Sequence, residues 1–180
     1  GYNDAGMAEI ARAAGCSVGK LYTLFENKEN LFVCLVGDRL RALNEVSAEA
    51  IDPAAPPLTR LRQRLRAALD YFSQDPHFSR IFRNEYPDTA DGILQRESEH
   101  HSQIIQVYLD EAMQAGQIPR EDPEALSTLA YGLIYGLIDL TALREDALST
   151  DWVMGYVERF FLGPLESPAS ASLDSGENRS

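Results

Sequence analysis

Residues 7–31 read Met7-Ala8-Glu9-Ile10-Ala11-Arg12-Ala13-Ala14-Gly15-Cys16-Ser17-Val18-Gly19-Lys20-Leu21-Tyr22-Thr23-Leu24-Phe25-Glu26-Asn27-Lys28-Glu29-Asn30-Leu31. This stretch decides the fold. Met7, Ile10, Ala11 and Ala14 recur at helical spacing, and Gly15 follows where a helix end favours a left-handed residue. Ser17 is a natural N-cap for a second short helix reaching Phe25, and Asn27 opens a third that runs to about Ala50. Two short helices joined by a glycine-containing turn make the helix-turn-helix pattern, whose second helix can enter the DNA major groove. By spacing alone, such a pair is more often plain core than a DNA reader. Val18, Leu21 and Phe25 are expected to anchor the second helix. Ser17, Gly19, Lys20 and Thr23 leave its other side small or polar, so that DNA can approach closely. Lys20 can donate to guanine or phosphate, and the Tyr22 hydroxyl can reach a phosphate oxygen. Lys28 falls in the first turn of the third helix, where outward N–H groups favour an anion.

The rest of the chain is also helical in period. Leu31, Val33, Leu35, Val36, Leu40 and Leu43 predict a broad buried face on the third helix. Pro53, Pro56 and Pro57 break the pattern between Ile51 and Pro57. Further helices are expected over 58–73, 75–86, 89–115 and 122–143, and from Asp151 to Gly163-Pro164. The Ser- and Gly-containing tail has little to bury. The chain is therefore read as all-α, a short-helix N-terminal part followed by a helical bundle.

Composition bounds the function. The 180 residues carry 16 Lys+Arg against 28 Asp+Glu, a formal net charge of -12. Such acidity argues against nucleic acid and anionic membrane as partners. Its distribution reverses that inference for DNA. Residues 1–46 hold five basic and six acidic residues, whereas 47–180 hold eleven and twenty-two. The acidity belongs to the C-terminal body. No run reaches the ~18 apolar residues of a membrane span. Two cysteines, Cys16 and Cys34, have no metal spacing, which suits a reducing, cytoplasmic compartment.

From Gly1-Tyr2 and Met7 to Leu31, the sequence closely resembles the DNA-binding domain of the TetR/AcrR family of transcriptional regulators. Ile10-Ala11, Gly15, Leu21-Tyr22, Phe25 and Lys28-Glu29 fall in register. The resemblance implies a homodimer on a palindromic double-stranded DNA operator, usually repressing, and released by a small-molecule effector. By matching position, Ser17, Lys20, Tyr22, Thr23 and Lys28 would contact DNA, with Gly19 allowing close approach. It implies a DNA-binding domain at 1–46 and a ligand-binding and dimerisation domain at 47–165, and the composition of 166–180 predicts a disordered tail. Three features depart from the family. Ala5 stands where Thr or Ser is common, and Leu24 where His is frequent. The family also has a helix before the position of Gly1, so the sequence is expected to be trimmed at its start.

Several constellations are weighed against plainer readings. Glu97-x-x-His100 has the spacing of a di-iron bundle, but no second such pair exists, so it reads as a polar helix face or cavity lining. Arg60, Arg62, Arg64 and Arg66 read as a solvated helix with local acidic partners. Phe72, Phe82, Tyr86, Tyr108, Tyr131 and Tyr135 are candidate linings of a mostly apolar effector pocket. Residues 129–143 are apolar nearly all round, so that helix must be buried on several sides. Leu129, Gly132, Leu133 and Gly136 are expected to form a dimer interface. Val153, Tyr156, Val157 and Phe160 of the last helix join them. No catalytic set, metal site or cofactor motif is legible, and an enzyme is not expected. The competing reading is an all-α small-molecule-binding or enzymatic bundle that does not bind DNA.

Overall fold

A computed structural model describes residues 2, 5–74, 91–143 and 149–166, with side chains of 91–98 and 141–143 excluded. The described residues are helical throughout, with no strand. The elements are α1 (Met7–Ala13), α2 (Val18–Leu24), α3 (Lys28–Glu49), α4 (Pro57–Ser73), α5 (Asp91–Gln114), α6 (Pro123–Leu143) and α7 (Thr150–Val157). A π-helical turn (Glu158–Leu162) and α8 (Gly163–Glu166) follow. The expected helix over 75–86 and the tail beyond 166 lie outside the described residues.

Local chemistry sets most boundaries. Gly15 ends α1 at φ +66°, a conformation that L side chains rarely adopt. Gly116 does the same after α5 at φ +69°. Asp122 accepts from the Glu124 N–H at 2.9 Å, and Pro123 takes the first position of α6, where its missing N–H costs nothing. Ser149 caps α7, accepting from the Trp152 N–H at 3.3 Å, so the helix opens at Thr150 rather than at the expected Asp151.

The chain does not stop at Gly163-Pro164 as expected. Proline lacks an N–H and would clash with the carbonyl four residues earlier. The π turn widens the helix at that point, and the Gly163 N–H bonds the Glu158 carbonyl five residues back. The helix then continues to Glu166. Gly163 is required here, because a Cβ would lie 2.7 Å from the Glu158 carbonyl oxygen.

Two hydrophobic clusters form. The larger joins Leu58, Leu61, Leu65 and Leu69 of α4 to Ile105 and Leu109 of α5, Ile134 of α6, and Val153, Val157 and Leu162. The smaller joins Phe32, Val36, Leu40 and Leu43 of α3 to Phe72 of α4. The buried face of α3 is thus narrower than expected. Leu35 is 51% exposed, and Phe32 takes the buried position instead, because the i, i+4 stripe from Phe32 through Val36 to Leu40 is the one facing α4.

The arginines of α4 find their hydrogen-bonded acidic partners on other elements, and Arg66 also feels a carboxylate of its own helix, Asp70. Arg60 pairs with Glu111 of α5, and Arg62 reaches both Glu158 at 2.7 Å and Glu166 at 2.8 Å. Arg66 meets Asp151 at 2.6 Å. Arg64 donates to Asn44 Oδ1 of α3 at 3.3 Å. Their positions flank the leucine stripe of α4, so their heads emerge where neighbouring helices supply carboxylates.

Gly163→Ala is expected to lower unfolding free energy by about 1–3 kcal/mol, since backbone cannot yield as a side-chain tip would. Gly37→Ala in α3 meets nothing within 4 Å and should instead be neutral or stabilising by up to about 1 kcal/mol. Urea denaturation of both variants checks the contrast.

Candidate nucleic-acid interface and effector cavity

The N-terminal site is built by three caps. Glu9 accepts from the Gly6 N–H at 3.0 Å and secures the start of α1. Ser17 Oγ accepts from the Lys20 N–H at 3.2 Å and starts α2. Asn27 Oδ1 accepts from the Asn30 N–H at 2.8 Å and starts α3. Each satisfies a helix-terminal N–H that would otherwise lack a partner.

With α2 only two turns long, one position lies squarely against the rest of the protein. That position is Leu21, which is buried. Val18, expected to be an anchor, is 38% exposed, and Phe25 is half-buried beyond the helix end. Ser17, Gly19, Lys20, Tyr22 and Thr23 are all exposed. Thr23 donates to the Gly19 carbonyl at 2.9 Å, which leaves its oxygen lone pairs available. A Cβ built on Gly19 meets nothing within 4 Å, so folding does not require glycine there.

Lys28 sits differently. Its Nζ donates to the carbonyls of Tyr2 at 2.7 Å and Ala5 at 3.1 Å, and it lies 4.3 Å from the Tyr2 ring centroid. Tyr2 in turn packs edge-on against Phe32 at 5.0 Å. Two of the three ammonium protons are therefore spent inside the protein. Lys28, expected as a DNA contact, also has an internal role: its attachment draws the residues before α1 onto α3.

The effector candidates separate. Phe72 of α4 and Tyr131 and Tyr135 of α6 line one apolar chamber of about 50 Å³, where the two tyrosine rings stack at 4.0 Å. Tyr108 does not belong to it. It faces a surface groove of about 520 Å³ and lies under the Arg60 guanidinium at 5.5 Å, because one residue of helix separates it from the buried stripe that carries Leu109. Phe82 and Tyr86 lie outside the described residues.

His101 lines the chamber and was not foreseen in it. Its signal is nevertheless in the sequence, since His101, Ile105 and Leu109 share one helical stripe. Burial first, then the charges of His100 and Arg64, push its imidazole down to about 4. Its Nε2 is buried with no hydrogen-bond partner among the described residues. The side chain of Glu97 lies outside them, and those described contain no cluster of three or more candidate metal ligands.

The expected dimer face divides in two. Leu129 at 63% and Phe160 at 55% are exposed, as are Gly132, Gly136 and Tyr156, while Leu133 is half-buried. Trp152, Tyr156 and Phe160 form an aromatic ladder, with successive centroids 4.9 and 5.7 Å apart. Val153 and Val157 are instead fully buried in their own protomer, because they occupy the α7 face turned towards α4. One side of α6 is thus open to solvent rather than buried all round. Among the described residues no helix is long and apolar enough to cross a membrane.

Known proteins share the N-terminal segment and the fold. Residues 1–34 match the model for bacterial regulatory proteins of the tetR family. A Bacillus subtilis HTH-type transcriptional regulator, YhgD, is 22% identical over 170 residues, covering 93% of this chain and 89% of its own length. The fatty acid metabolism regulator protein of the same species is 26% identical over 158 residues, covering 86% and 76%. The crystal structure of the Bacillus subtilis regulator FadR in complex with stearoyl-CoA shares the fold, with a TM-score of 0.65, 23% identity and coverage of 92% and 85%.

His101 gives the stability a predicted pH dependence. The unfolded chain takes up its proton near the ordinary value of 6.5, whereas the folded chain resists until about 4. Below 6.5 the unfolded state therefore binds more protons, and stability falls as pH falls. Between pH 7.5 and pH 5 the loss from this group should be roughly 2 kcal/mol. Paired urea titrations should show a shallower acid loss in His101→Phe than in wild type.

Proposed function

We propose that this chain is a regulator of the tetR family and works as a homodimeric repressor released from a palindromic operator by a small molecule. One observation carries the reading. Around the single buried residue Leu21, α2 presents Ser17, Gly19, Lys20, Tyr22 and Thr23 to solvent on a capped, pre-formed helix. Lys20 reads a base edge or phosphate, and the hydroxyls of Ser17, Tyr22 and Thr23 hold phosphate oxygens. Gly19 lets the helix backbone approach. Lys28 contributes its remaining N–H to a phosphate and fixes the segment before α1.

The DNA-binding part is residues 1–46, and 47–166 form the effector and dimer part, since Glu166 belongs to α8 and pairs with Arg62 rather than opening a tail. Since α3 passes through this division unbroken from Lys28 to Glu49, both parts share one rigid element. The aromatic ladder and the Leu129–Gly136 face bring two protomers together, as the isologous surfaces of a dimer do. The fatty acid metabolism regulator and the stearoyl-CoA complex of FadR among the similar proteins support an acyl-type effector. The protein acts by binding and not by catalysis, in the cytoplasm.

Electrophoretic mobility shift with the DNA upstream of its own gene tests the reading. Gly19→Ala should raise helix stability by up to about 1 kcal/mol, yet weaken operator binding by tenfold or more. Lys20→Ala should relax base preference as well as affinity, and should flatten the salt dependence. The failure of wild type to bind any such fragment would favour the bundle that does not bind DNA. Phe160→Glu should yield monomers in analytical ultracentrifugation and lose operator binding with α2 unaltered, because a charge would be buried between protomers.

A further inference from the structure

Two cavities and a groove lie in series through the bundle. The apolar chamber shares Leu65, Ala68, His101 and Ile105 with a second cavity of about 50 Å³. That cavity shares Asn44, Arg64 and Ile104 with the open groove. The groove mouth adds Arg41, Glu45 and His100. Arg41 pairs with Asp38 at 3.0 Å, whereas Arg64 meets the neutral Asn44. The series therefore runs from a hydrocarbon-like interior, past His101, to a polar mouth with Arg64 at its edge.

Polarity changes at His101. A buried imidazole nitrogen that meets no partner among the described residues forfeits its hydrogen bond to water, a cost that phenylalanine would avoid in the same stripe. We propose that His101 is a specificity-determining contact for the effector. Its Nε2 hydrogen-bonds an oxygen function, carbonyl, carboxyl or hydroxyl, that stands between an apolar tail in the chamber and a polar or anionic head at Arg64. This rests on the effector reading above and narrows it to amphipathic molecules with an oxygen at that junction. Because the imidazole is neutral near pH 7, it can donate to a carbonyl or accept from a hydroxyl without burying a charge.

The test titrates the full chain calorimetrically with 1-octanol, octanoate and 1-chlorooctane, which share a chain and differ in the terminal group. Wild type should bind octanol and octanoate about tenfold more tightly than chlorooctane. His101→Phe should bind all three alike, and His101→Gln should keep part of the preference. Arg64→Gln should weaken octanoate but leave octanol unchanged. A wild-type protein with no preference, or with no binding to any of the three, overturns the proposal. Should His101→Phe not fold by circular dichroism, 15N-labelled imidazole in wild type gives the answer directly. The His101 Nε2 resonance should move on adding octanol, and an unmoved resonance overturns the proposal. Operator release is measured on the same samples. A wild type that shows no oxygen preference refutes the His101 contact, whereas a wild type that keeps the preference but is not released from operator by octanol or octanoate refutes the effector reading alone.

Discussion

The arginines of α4 hold the bundle to a single arrangement. This helix has leucines along one stripe and guanidinium groups on both flanks of it, so each apolar contact is bordered by a directed one. Arg62 grips Glu158 and Glu166 together in charge-assisted bonds, and both carboxylates keep part of their surface in water, which limits the desolvation that the pairing must offset. Hydrophobic burial of Leu58, Leu61, Leu65 and Leu69 supplies most of the stabilisation but has no direction. The ion pairs select which helix lies where: Glu111 fixes α5, Asp151 fixes α7, and the Glu158–Glu166 pair fixes the wide turn between them. Asn44 ties α3 to the same helix through Arg64. The acidity that dominates the C-terminal body is thus partly structural, since several of its carboxylates meet α4.

Much of the fold was legible because its signals are local. The Ser17 and Asn27 caps, the left-handed glycines at 15 and 116, and Asp122-Pro123 each act within a few residues, and their helices begin or end where those residues place them. What could not be read depends on distant partners. Nothing near Arg62 in sequence points to carboxylates about a hundred positions away. Nor does Gly163-Pro164 announce a π turn, because the clash that proline threatens can be relieved by widening as well as by stopping. Faces were harder than elements: Leu35 against Phe32, and Val153 against Tyr156, differ only in which side of a helix the neighbours occupy.

The candidate sites divide along the same line. The α2 surface was legible because a short capped helix with one buried position leaves the rest exposed by geometry. The role of Lys28 was not, because its acceptors are main-chain carbonyls, and a carbonyl looks alike in every residue. His101 is absent from the aromatic pocket candidates, although its i, i+4 spacing to Ile105 and Leu109 marks an inward stripe. The chamber aromatics were identified in part, and Tyr108 fell just outside because helical phase, rather than composition, decides what enters a cavity.

The continuity of α3 has a mechanical consequence. Its 22 residues make a rod of about 33 Å, with Lys28 at one end and Ser47 among the cavity walls near the other. A tilt of about 5° pivoting at Ser47 would carry the Lys28 end through about 2.5 Å, over the roughly 28 Å of helix between them. That is close to the full length of a hydrogen bond. An interior displacement too small to disturb packing could therefore be amplified, by leverage alone, into the loss of register between α2 and a phosphate.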